Sequence, residues 1–127
     1  MASCSTPREF TFIADGVIAL GKAVKIGSDN GHVVVGAANT DKCIGIYQGA
    51  ATTAAGDSAE VALIGGGAKA KLGEGVSAGA YLVSHTDGTL VKANTAGDHV
   101  CAIAMEDGSA DDIIAVEVVC FEAYNAE

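Results

Sequence analysis

The chain has 127 residues, room for one domain that buries roughly 70% of its unfolded surface. Half of the residues are apolar, but Ala and Val dominate that share and there is no Trp, with three Tyr and three Phe, so a thin core of small β-branched side chains is expected. A net charge of −9 excludes the clustered Lys and Arg of a nucleic-acid binder, and 17 glycines against one proline, among many Val and Ile, point to tight turns in a folded domain.

Residues 1–9 read as a flexible arm that carries the single proline, Pro7. They have neither a basic nor an apolar stretch of the secretory kind, so the product is expected to stay in the cytoplasm where it is made. Residues 9–13 alternate and stop at Asp15-Gly16. Residues 23–26 and 32–35 form a hairpin through Asp29-Asn30-Gly31, since Asn-Gly is the strongest short hairpin signal. Residues 43–47 and 59–64 follow as strands. A glycine-rich linker, residues 65–79, holds six glycines and one short strand at 69–72. Residues 81–84, 90–92, 100–105 and 113–121 complete a set of about nine or ten strands, which implies a closed or nearly closed β fold. A helical turn has room at 17–20 or 50–55. Every apolar run is broken by Gly, Lys or Asp before the roughly 18 to 20 residues of a membrane span, so no membrane partner is expected.

Residues 21–63 and 79–118 read as two copies of one unit. A shift of 57 places Asn30-Gly31 near Asp87-Gly88, Val34 on Val91, Asp41 on Asp98 and Ile46 on Ile103. After a turn shortened by two residues, the strand at Glu60, Val61, Ala62 and Leu63 is answered by Ala115, Val116, Glu117 and Val118. The order of strands and turns carries this duplication more than the few identities do.

Motifs that resemble active sites fail on their context. Gly75 to Gly79 matches G-x-S-x-G, and Ser77, Asp87 and His99 follow the order of a hydrolase triad, yet a glycine-rich loop precedes Ser77 and a β run follows it. A turn residue is the expected role. Gly16 to Lys22 falls one hydroxyl short of a phosphate loop, because Ala stands at position 23 and a strand follows. Gly73, Gly75 and Gly79 miss the dinucleotide spacing. His32, His85 and His99 share no ligand spacing, and the pair Asp111-Asp112 reads as a solvated turn. Four cysteines at spacings of 39, 58 and 19 contain no C-x-x-C. Cys43, Cys101 and Cys120 adjoin apolar residues and are expected as buried thiols, with Cys4 exposed in the arm. No catalytic residue, metal or cofactor is expected.

The run Gly21-Lys22-Ala23-Val24, Asn39-Thr40, Ile44-Gly45-Ile46, Gly56 to Val61, Gly79-Ala80-Tyr81-Leu82 and Asp87-Gly88-Thr89-Leu90 resembles the head decoration, or capsid cement, proteins of tailed phages. The resemblance implies an all-β fold, a compact small barrel or β-clip-like, with residues 10–127 as one domain. It implies a homotrimer on the outer face of the virion, bound to the major capsid protein and bracing the head against packaged DNA. The duplication and the acidic C-terminal region, eight acids and no Lys or Arg from Asp98 onward, do not map onto the family's contacts. For docking, the arm is the natural tether, with Thr6, Pro7, Arg8, Glu9, Phe10 and Phe12 as the capsid-binding residues, since a polar segment leading into two aromatics suits strand addition to a partner. The alternative reading is a small β-barrel module that binds glycan or peptide.

Overall fold

The computed structural model describes residues 9–49, 54–94 and 97–122. Among them are ten strands and no helix: β1 Glu9–Ala14, β2 Ala23–Ile26, β3 His32–Val35, β4 Cys43–Tyr47, β5 Ser58–Leu63, β6 Gly67–Lys71, β7 Tyr81–Ser84, β8 Leu90–Lys92, β9 His99–Ala104 and β10 Ile113–Glu122. The first five close into a barrel in the order β1-β3-β2-β4-β5, and the last five form a sheet in the order β6-β10-β9-β7-β8. Each expected strand is found to within two residues at either end.

The duplication is present and longer than its sequence signal. The strand expected inside the linker is β6, and it belongs to the second unit as the counterpart of β1. Phe10 opposes Val61 across β1 and β5, just as Ala68 opposes Val116 across β6 and β10. Parallel pairing of Ala14 with Val33 closes the first barrel, while the second keeps a single parallel bridge between Leu72 and Leu90. The second unit is thus the same barrel, left partly open.

Turn chemistry repeats with the strands. Gly31 and Gly88 end the two hairpin turns at φ of 78° and 83°, the left-handed region that Gly enters without a Cβ penalty. Gly56 at φ 92° is answered by Asp111 at φ 72°, and an aspartate tolerates that conformation better than most side chains. In both copies the next residue caps the turn: Asp57 Oδ2 accepts from the Ala54 amide at 3.1 Å, and Asp112 Oδ2 from the Ser109 amide at 2.9 Å. Asp111 and Asp112 are therefore a turn, both exposed, as expected.

The helical turn expected at 17–20 does not form. Ile18 is drawn into the barrel and buried, and the chain then reverses through Gly21 at φ 86°. The other expected turn falls at residues 50–55, of which 50–53 lie outside the described residues.

Two apolar clusters hold the molecule. One fills the first barrel with Ala14, Ile18, Val24, Val33, Tyr47, Ala59 and Val61. The other joins the units: Ala23, Cys43, Ile46 and Ala62 from the outside of the first barrel pack with Leu72, Leu82, Leu90, Val116 and Val118 of the second. Backbone bonds stitch the same joint, with the Ala23 amide donating to Gly88 O at 2.9 Å, the Lys71 amide to Gly21 O at 3.0 Å and the His99 amide to Asn39 O at 2.8 Å. One shared core makes the two units a single cooperative body.

Candidate functional site

Of the residues expected to bind a partner, Thr6, Pro7 and Arg8 lie outside the described residues. Glu9 is the first residue of β1 and pairs with Ala62. Phe10 and Phe12 point the same way along β1, and their rings meet edge-on with centroids 5.1 Å apart. Phe12 packs against the barrel core, whereas Phe10 is 59% exposed at one end of the barrel. The structure therefore brings these two aromatics together and offers one of them to a partner.

A second exposed aromatic group lies on the other unit. Tyr81 and Phe121 form an edge-on pair at 5.3 Å, and Tyr81 lies opposite Ile103 in the sheet. Sequence reasoning did not single out these residues. In the strand register Tyr81 and Ile103 occupy the positions of Ala23 and Ile46 in the first copy.

Between the units lies a cleft of about 490 Å³, bordered by Asn39, Glu74, His85, Lys92 and Asp98. Its acids are engaged by the fold. Asp98, buried, accepts from the Asn39 side-chain amide and from the Asn94 backbone amide, and Glu74 accepts from the Lys92 amide at 2.8 Å. Asp41, the counterpart of Asp98, accepts from the Ala37 and Ala38 amides and pairs with Lys25 at 2.9 Å. The Ala37 bond above all, helped by Lys25 and Ala38, holds its carboxyl below the usual 3.8, although desolvation pulls the other way.

The three residues in hydrolase order have separate partners. Ser77 opens a β-turn in which its carbonyl accepts from the Ala80 amide at 3.1 Å, and β7 follows at once. The first copy makes the same turn from Ala19, which has no hydroxyl, with Lys22 N reaching Ala19 O at 3.3 Å. Asp87 is bound to Thr89, whose hydroxyl and amide lower its pKa, and to Lys22. His99 Nε2 lies 3.1 Å from Cys120 Sγ, and burial, reinforced by Lys42, holds its pKa below the ordinary value. Ser77→Ala is accordingly expected to leave stability unchanged, and the wild-type protein to resist a fluorophosphonate probe. Stoichiometric labelling at Ser77 would contradict this.

Lys22, the lysine of the loop that resembles a phosphate site, donates to Asp87 O at 2.7 Å and so helps to join the units. His32 is bound to Asp15 at 2.6 Å. No group of three His, Cys, Asp or Glu suited to a metal occurs among the described residues. Cys43 and Cys101 are buried, as expected. Their mutual hydrogen bond, with burial, pushes the Cys101 thiol up. Cys120 departs from the expectation and is exposed, because a register shift between Val118 and Phe121 breaks the alternation that would have turned it inward.

The fold defines a class: an all-β tandem of two five-stranded units, the first a closed barrel. Among solved structures it is similar to the head fiber gp8.5 N base in bacteriophage phi29, with a TM-score of 0.65 and 17% sequence identity over 87% of this chain and 92% of that one. No protein-family model matches the chain, and neither does any curated protein.

Proposed function

We propose that this chain is a structural protein of a phage virion, without catalytic activity or cofactor. It docks on the outer surface of the head, contacts the major capsid protein as a decoration or cement subunit, and assembles as a homotrimer. The observation that carries this reading is the shared fold with a head fiber base, which extends over most of both chains. The site chemistry supports it: Asp41, Asp87, Asp98, His32 and His99 are bound within the fold, and the apolar surface open to a partner includes Phe10 and Tyr81.

The test is co-sedimentation of the purified protein with expanded phage heads, before and after removal of residues 1–8. Binding by the full chain and much weaker binding by the truncated one, at an unchanged thermal transition, are expected, because β1 and the core stay intact. Failure of the full chain to bind heads would overturn the proposal. A second reading, a module for glycan or peptide, has the polar cleft in its favour. No Phe, Tyr or Trp lines that cleft, so it lacks the broad ring face on which sugars commonly stack.

A further inference from the structure

The hairpin turns of the two units are one motif in two settings. Asn30-Gly31 and Asp87-Gly88 stand at matching places, and each glycine takes a positive φ, 78° and 83°. The backbone nitrogen of a glycine is unshielded by any side chain, so it readily attacks the Cγ of an Asn or Asp before it and closes a five-membered succinimide. Both turns have the atoms for this step, and the fold separates them.

In the second unit the turn is held. The Asp87 carboxylate accepts from the Thr89 amide and hydroxyl and lies beside Lys22, and a Cβ at Gly88 would stand 2.4 Å from Val35 Cγ1 of the first unit. In the first unit the turn stands clear: residues 28–31 are all exposed, and nothing lies within 4 Å of a Cβ at Gly31. Among the described residues neither the Asn30 side chain nor the Gly31 amide has a hydrogen-bond partner. The turn itself is closed by the His32 amide on Asp29 O at 3.2 Å, a long and solvated bond, so little opposes its rotation into attacking geometry. The electrophile differs as well, since Asn30 releases ammonia whereas an ionised Asp87 would have to be protonated before it could release water. Asn39 and Asn94 each precede a threonine, whose branched side chain shields the nitrogen.

We propose that Asn30 is a site of spontaneous covalent modification, and that one of its two products unlatches the first barrel. The Gly31 nitrogen bonds to Asn30 Cγ, the Cγ–Nδ2 bond breaks, and ammonia leaves with the proton that the Gly31 nitrogen gives up. Water then opens the ring, and the ring nitrogen takes back a proton. Attack of water at Cγ gives aspartate on an unchanged backbone; attack at the Asn30 carbonyl carbon gives isoaspartate, in which the main chain runs through Cβ and Cγ. In either case amide and water become acid and ammonia. Aspartate is what the second unit already carries at this place, so the turn accommodates it. Isoaspartate puts an additional methylene into the main chain directly before Gly31. That position is the latch of the barrel: Gly31 O accepts from the Ile13 amide at 2.8 Å, and His32 pairs with Ile13 in the parallel contact of β1 with β3 and binds Asp15 at 2.6 Å. A longer chain displaces Gly31 and His32 from β1 together.

The test is to age the purified protein at mildly alkaline pH, which favours loss of the glycine amide proton. Peptide mass spectrometry reads the exchange of amide for acid at each Asn, and methyl transfer from labelled S-adenosylmethionine by protein isoaspartyl methyltransferase reads the isoaspartyl fraction. Conversion at Asn30 is expected to run several-fold faster than at Asn39 or Asn94, with no isomerisation at Asp87. The isoaspartyl fraction should melt roughly 4 °C below the fresh protein, the shift that loss of one backbone hydrogen bond brings in a domain of this size. Freshly made Asn30→Asp should keep the wild-type transition, and Asn30→Gln, whose longer side chain closes its ring far more slowly, should keep it through ageing. An Asn30 that survives ageing, or an Asp87 that isomerises as fast, would overturn the site. An isoaspartyl fraction that melts with the fresh protein would overturn the unlatching. These measurements use the free protein, so co-sedimentation with heads stands as a separate result.

Discussion

Gly45→Ala is expected to lower the stability of the protein by about 3 kcal/mol, a large share of the roughly 5 to 15 kcal/mol that holds a domain of this size. A Cβ at Gly45 would stand 2.2 Å from the Ala62 carbonyl oxygen and 2.6 Å from Val61 Cγ1. The first of these is backbone of the neighbouring strand and cannot rotate away, so β4 and β5 would have to part where they pair. The second unit carries Ala102 at the matching place, opposite Val118 as Gly45 is opposite Leu63. The second unit holds a methyl there in a buried position, so the crowding over Gly45 belongs to the closed barrel. Thermal unfolding should show a fall of roughly 10 °C. Gly16→Ala is the control, since nothing lies within 4 Å of its Cβ and its φ is not in the left-handed region; it should be neutral or stabilising by about 0.4 to 1 kcal/mol. Equal effects at the two positions would refute the clash.

The strands and turns were legible because each rests on local signals. Asn30-Gly31 and Asp87-Gly88 announce their hairpins, and Glu60 to Leu63 and Ala115 to Val118 alternate as half-buried strands do. The equivalence of β1 and β6 was hidden for a physical reason. Phe12 packs on the core of the first barrel and Phe10 lies exposed at its end, whereas their counterparts Ala70 and Ala68 belong to or pack against the core that joins the units. Two strands with one topological role therefore share almost no side chains. The docking surfaces were half legible: Phe10 stood out as an aromatic beside a polar segment, but the exposure of Tyr81 follows from an asymmetric packing of two similar units, which no local pattern encodes. Cys120 was misplaced by the bulge in β10, a shift of register that its sequence does not announce.

That asymmetry sets up the sharpest comparison. Ile46 and Ile103 are the same residue at matching positions of β4 and β9, each flanked by its cross-strand row. Ile46 is fully buried in the joint between the units, so Ile46→Ala removes a filled volume from a core that is fixed on both sides and should cost about 2 to 5 kcal/mol. Ile103 is half-buried and its outer side is open, so Ile103→Ala should cost under about 1 kcal/mol in dilute protein, mostly the transfer of the remaining covered methyl groups. Urea unfolding at low concentration measures both, and the two slopes should agree because one shared core unfolds as a unit. Equal costs would mean that the second unit does not protect the first. The expected inequality instead gives the energy of one covered face against one uncovered face of the same fold.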